Sequence, residues 1–209
     1  MIYIIGDSHS CAFTYTHFHE YIFNTYTPKQ KGIFTSIRTE PFTIYNINTK
    51  INKINNIINN LNIKPNDFIF FCYGEVDIRC HIGFNSEKNN IPIDDICKNI
   101  SERYINFLLK IKKYHNNIGV YGPIPSGPSN QIQGNGRPSY KTQIERNDIT
   151  KKLNKHLKSY CIENNILFKN IDNINNDFYI KQTASGKEDF THLSNKVQPI
   201  LTNLFSDLI

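Results

Sequence analysis

Short apolar runs alternate with amphipathic stretches along most of the chain. The runs Ile2–Ile5, Phe42–Ile47, Phe68–Tyr73, Ile118–Tyr121 and Ile166–Ile171 have strand length and hold few polar residues. Strands that read as near-continuous apolar runs are buried on both faces, so the pattern predicts a parallel sheet with helices on each side. The spacing predicts those helices over Ser10–Tyr21, Ile51–Leu61, Ile93–Tyr114, Thr142–Glu163 and Asn195–Leu208. In the second, Ile54, Ile57, Ile58 and Leu61 recur at helical intervals, and Pro65 lies beyond its end. In the third, Ile96, Ile100, Tyr104, Phe107, Leu108 and Ile111 form one stripe.

Ligands of open α/β sheets bind outside the carboxyl ends of the strands, and the chemistry-bearing residues cluster at such ends. The first run stops at Gly6-Asp7-Ser8, which puts a serine hydroxyl at the tip of a strand. A serine needs an oriented base before it can attack, so Ser8 alone reads equally as a helix N-cap. Asp189 stands three residues before His192, close enough to hold one ring nitrogen while the other faces Ser8. Asp7 reads as a brace for the turn through backbone hydrogen bonds, and His9 and Ser10 as candidates to line a pocket.

Gly6-Asp7-Ser8, Gly74-Glu75-Val76-Asp77 after a central strand, and Asp189-x-x-His192 before the last helix together resemble the SGNH (GDSL-like) hydrolase superfamily. The resemblance implies a three-layer α/β/α sandwich of flavodoxin-like topology, here with a five-stranded parallel sheet. It also implies Ser8 as nucleophile, His192 as base and Asp189 as the group orienting that base. Members usually carry an Asn whose amide binds the oxyanion, and Val76 stands there instead. They also carry a Gly whose backbone N–H joins the oxyanion hole; no glycine lies near Thr43-Ile44-Tyr45, and Glu40 aligns with it. Gly74-Glu75-Val76-Asp77-Ile78-Arg79 resembles a Gly-Glu-Ile-Asp-x-Arg variant of SGNH-like domains linked to surface-glycan synthesis. Arg79 is therefore expected to face the anion, with His81 beside it if the chain there stays extended.

Other constellations carry less. Glu75 and Asp77 invite a glycosidase reading, but that chemistry needs a separation across the scissile bond that spacing does not supply. His17 and His19 would diverge by about 200° on a helix, so no metal site is expected. Glu188 is a possible substitute for Asp189 as the orienting acid. The Gly- and Pro-rich stretch from Gly122 to Tyr140 predicts a lid or an insertion, in which Arg137 either touches substrate or ties the loop down.

At 209 residues and 39% hydrophobic content the chain fits one domain, residues 1–209, built around a single sheet. No run approaches the roughly 20 apolar residues of a membrane span, and the amino terminus lacks a signal-peptide pattern, so a cytosol-like compartment is expected. Its five cysteines follow no C-x-x-C spacing, which argues against a zinc ribbon or a disulfide framework. The net charge of +6 is scattered rather than clustered, which argues against a nucleic-acid partner. No nucleotide or other cofactor motif is present. The expected activity is hydrolysis or transfer of an acyl group, such as acetyl, on a carbohydrate or another small polar substrate. The alternative is a catalytically weak SGNH-like module that binds a glycan or a partner.

Overall fold

The computed structural model describes residues 1–14, 26, 28–128, 132, 133, 137–181, 189 and 191–209, with the backbone alone at 132, 133, 137 and 138. Its strands are β1 (Ile2–Gly6), β2 (Lys29–Lys31), β3 (Phe34–Arg38), β4 (Phe68–Cys72), β5 (Ile118–Tyr121), β6 (Ile132–Gln133), β7 (Arg137–Pro138) and β8 (Leu167–Lys169). The α-helices are α1 (Ile51–Asn59), α2 (Gly83–Asn89), α3 (Ile93–Lys112), α4 (Gln143–Glu163) and α5 (Gln198–Leu204).

The main sheet runs β2-β3-β1-β4-β5-β8. Five of these strands are parallel, and β2 adds a short antiparallel edge against β3. The parallel strands, numbered along the chain, stand in the order 2-1-3-4-5 of flavodoxin-like folds, whose switch point lies between β1 and β4. Alternate residues feed two separate cores. Ile5, Ile69, Phe71, Ile118 and Val120 face the side covered by α1, α3 and α4, while Ile2, Ile4, Phe70 and Tyr121 face the other. That second layer is made by the 3-10 segment Ser8–Thr14 and the carboxyl-terminal helix, with Phe13, Val197, Leu201 and Phe205 fully buried. Phe205 meets the rings of Phe13, Phe34 and Phe70 edge-on at 5.7, 5.5 and 4.8 Å.

Helices α3 and α4 begin and end within two residues of their expected bounds. Thr142 caps α4 in a capping box with Glu145, which satisfies two orphan N–H groups. The expected strand Phe42–Ile47 is instead a 3-10 helix, Ile44–Lys50, and the neighbour of β1 is β3. Three residues per turn bring Ile44 and Ile47 onto one buried side, so the same apolar positions serve a helix. The expected first helix starts earlier, at Ser8, as a 3-10 turn; its continuation through His17, His19 and Tyr21 lies outside the described residues. Ser10 is fully buried, its hydroxyl donating to the Asp7 carbonyl at 2.8 Å. Among the described residues no helix is long and apolar enough to cross a membrane. All five cysteines are free thiols.

Candidate active site

β1 ends with Gly6 pressed against Cys72 of β4. A Cβ on Gly6 would lie 2.3 Å from the Cys72 carbonyl oxygen, so only glycine fits there. Asp7 then locks the turn. Its N–H donates to Cys72 O at 3.2 Å, its carboxylate accepts the His9 N–H at 2.9 Å, and its carbonyl accepts the Ser10 N–H at 3.1 Å. Between buried Asp7 and buried His9, Ser8 is left partly exposed at the strand tip.

The segment carrying His192 is clamped against residues 178–181. Ile180 N–H donates to His192 O at 2.8 Å, Ser194 N–H to Phe178 O at 2.7 Å, and Asp189 N–H to Lys181 O at 3.1 Å. Asp189 Oδ1 accepts the N–H groups of Thr191 at 3.0 Å and His192 at 3.3 Å, which fixes the carboxylate before it meets the ring. His192 Nδ1 lies 2.8 and 3.0 Å from the two Asp189 oxygens. A carboxylate on Nδ1 selects the tautomer protonated there, leaving the Nε2 lone pair to accept the Ser8 hydroxyl at 2.6 Å. Burial and the neighbouring His9 hold the His192 pKa below that of an ordinary imidazole, although Asp189 pulls it upward. Burial would raise Asp189, but its hydrogen bonds to His192 and to the backbone bring it below the usual carboxylate range.

His9 stacks on His192, ring centroids 5.0 Å apart and planes 25° apart. Its Nε2 lies 3.6 Å from Glu75 Oε2, and Glu75 is gripped by Arg79 through Nε at 2.6 Å and Nη2 at 3.1 Å. Burial tends to lower His9, yet Glu75 and Asp7 together raise it. Glu75 is the converse case. Burial alone would lift its pKa, but Arg79 and His9 hold it well below the usual carboxylate range.

A cavity of about 370 Å³ opens beside Ser8 and His192, lined also by His9, Tyr179, Lys181 and Lys196. The lysines gave no sequence signal, because only the folded course of residues 178–181 and 194–196 brings them there.

Of the other expected site residues, Glu40, Gly74, Arg79 and His81 do not line this cavity. Glu40 pairs with Lys53 and accepts a hydrogen bond from Tyr26. Gly74 adopts φ +119° in a place where a Cβ would meet Pro123 and Ile44. Arg79 is turned to Glu75, one residue behind His9. His81 does not point with Arg79, because Asp77–Ile82 is a π-helical turn rather than extended chain. Arg137 falls on β7, and its side chain lies outside the described residues, as does Glu188. Glu75 and Asp77 are no matched acid pair either. Asp77 turns away to accept the N–H groups of Ile44 at 2.7 Å and Tyr45 at 3.3 Å.

No family model matches the sequence, and no curated protein matches it. Solved structures do match. A catalytic mutant of Axe2, an acetylxylan esterase from Geobacillus stearothermophilus, superposes with a TM-score of 0.56 at 11% identity, over 99% of this chain and 92% of that one. The acetyl xylan esterase AlAXEase gives 0.51 at 11% identity, over 100% of both chains. Catalytic mutants of Axe2 carry alanine for a serine, an aspartate and a histidine, the last two three residues apart. At this identity the likeness is one of fold.

Proposed function

We propose that the protein is a serine ester hydrolase or acyltransferase acting on O-acyl, chiefly O-acetyl, groups of a carbohydrate or similar small polar molecule. The hydrogen-bonded chain Ser8–His192–Asp189 carries this reading. Two facts support it. Its order and its Asp-x-x-His spacing are those of the residues altered in the Axe2 catalytic mutants. The adjoining cavity has the size of a small-molecule site.

His192 Nε2 takes the Ser8 proton as Oγ attacks the ester carbonyl, forming a C–O bond and a tetrahedral oxyanion. The backbone N–H of Ser8, at the strand tip, meets that oxyanion. Collapse expels the alcohol oxygen, which takes the proton back from His192 and leaves an acyl-serine. Water then repeats the sequence as nucleophile and frees the acid. A sugar hydroxyl in place of water gives transfer with the same residues.

The test is hydrolysis of p-nitrophenyl acetate and of an acetylated xylo-oligosaccharide by the wild type and by Ser8→Ala, with fluorophosphonate labelling mapped by peptide. Ser8 labelling and a loss of about 10⁴-fold or more in the variant support the reading. Equal rates in wild type and variant defeat it and leave the chain a binding module.

A further inference from the structure

His9, Glu75, Arg79 and Asp7 form a buried cluster directly behind the Ser8–His192 pair, and the ester mechanism above uses none of them. Their relative exposures are 6, 7, 7 and 2%. The two carboxylates face the paired Arg79 and, from α4, the buried Arg146 also acts on Glu75, and a buried charge left without a partner is costly. His9 is the titratable ring set against both carboxylates. It lies beside Glu75 and close above Asp7, whose carboxylate takes its backbone N–H.

We propose that His9 is carried as an imidazolium, held by the Glu75–Arg79 pair, and acts as a positioning residue that keeps the stacked base His192 neutral and ready to accept the Ser8 proton. This rests on reading His192 as the general base. Among the described residues the charged groups facing each ring are these. His9 meets Asp7, Glu75, Arg79 and His192; His192 meets Asp189, Ser8 and His9, with the Glu75 charge behind. Asp177, Lys181 and Lys196 stand at the cavity wall. Of the contacts on His192, Asp189 favours its cation and the stacked His9 opposes it. A positive ring at 5.0 Å makes a second imidazolium unfavourable. The base therefore stays free in mildly acidic solution, and the proton it takes from Ser8 is passed on readily to the leaving alcohol.

The experiment is a histidine NMR titration of the wild type, His9→Phe and His9→Asn, with kcat/KM against pH on p-nitrophenyl acetate. Phe keeps the stacked ring without charge, and Asn removes both. In the wild type His9 should titrate above the ordinary imidazole value of about 6.5 and His192 below it. In each variant the His192 midpoint, and the acid limb of kcat/KM, should rise by about one pH unit. The proposal is overturned if His9 titrates below His192 in the wild type, which needs no variant. It is equally overturned if the His192 midpoint stays put in both substitutions. Should no ester be hydrolysed, the midpoints still decide the charge state of His9. Should Ser8-dependent hydrolysis survive with unmoved midpoints, this proposal falls and the esterase reading stands.

Discussion

The carboxylate of Asp77 accepts the backbone N–H of Ile44 at 2.7 Å and so ties the turn after β4 to the 3-10 helix after β3. Thr43 makes no side-chain cap on that helix, and Asp77 supplies the missing acceptor from 33 residues away. The group is fully buried. Burial pushes its pKa up to about 7, against the pull of the two N–H groups.

A stability window follows from that shift. The folded value lies above the unfolded one, so the Asp77 contribution is complete below about pH 4 and declines as pH rises toward 7. Denaturant midpoints of the wild type and Asp77→Asn, followed from pH 4 to 8, should show the wild type losing ground to the variant by an amount on the order of a few kcal/mol. A pH-independent difference between the two would refute this.

Asp189→Asn tests the tautomer. An amide can donate to Nδ1, which would move the imidazole proton to Nε2 and leave Ser8 without an acceptor. Turnover should fall by about 10⁴-fold with the fold intact. Circular dichroism and kcat on p-nitrophenyl acetate measure the two halves of that statement.

Arg79→Met removes the guanidinium that neutralises Glu75. It should cost about 3 to 5 kcal/mol in urea unfolding, because a carboxylate is stranded in the interior. Adding Glu75→Gln should recover part of the loss. In the native chain the folded pKa of Glu75 is depressed, so its contribution is present above about pH 4.3 and fades as acid protonates it.

Gly74→Ala tests the packing of the loop that follows β4. The new methyl would sit 2.6 Å from Pro123 Cγ and 2.9 Å from Ile44 Cδ1, on a backbone with φ +119°. A loss of about 1 to 3 kcal/mol in thermal or chemical unfolding is expected.

Sequence patterning was most legible where burial and apolarity coincide. β1, β4 and β5 are runs of Ile, Phe and Val buried on both faces, and α3 and α4 carry unbroken stripes. β3 was hidden because Thr35 and Ser36 sit in its buried middle. Ser36 can be fully buried because its hydroxyl meets that of Thr14 at 2.6 Å, a bond no hydropathy pattern records. β2 is Lys-Gln-Lys, exposed throughout, and had nothing to distinguish it from a loop. The Ser8, Asp189 and His192 arrangement could be read because its motifs are local. The Glu75–Arg79 grip could not, since it depends on an i,i+4 turn that no pattern in the stretch after β4 announces.

The parallel sheet is complete at Lys169, whereas the imidazole facing Ser8 arrives only at residue 192, on a segment whose neighbours Val197, Leu201 and Phe205 also seal the second core. Any chain halted shortly after β8 would own its alcohol and every strand, but neither a proton acceptor nor the lid over Phe13 and Phe70. The imidazole facing Ser8 and the closure of that apolar layer thus come from the same forty-residue tail, so a protein clipped there forfeits both at once.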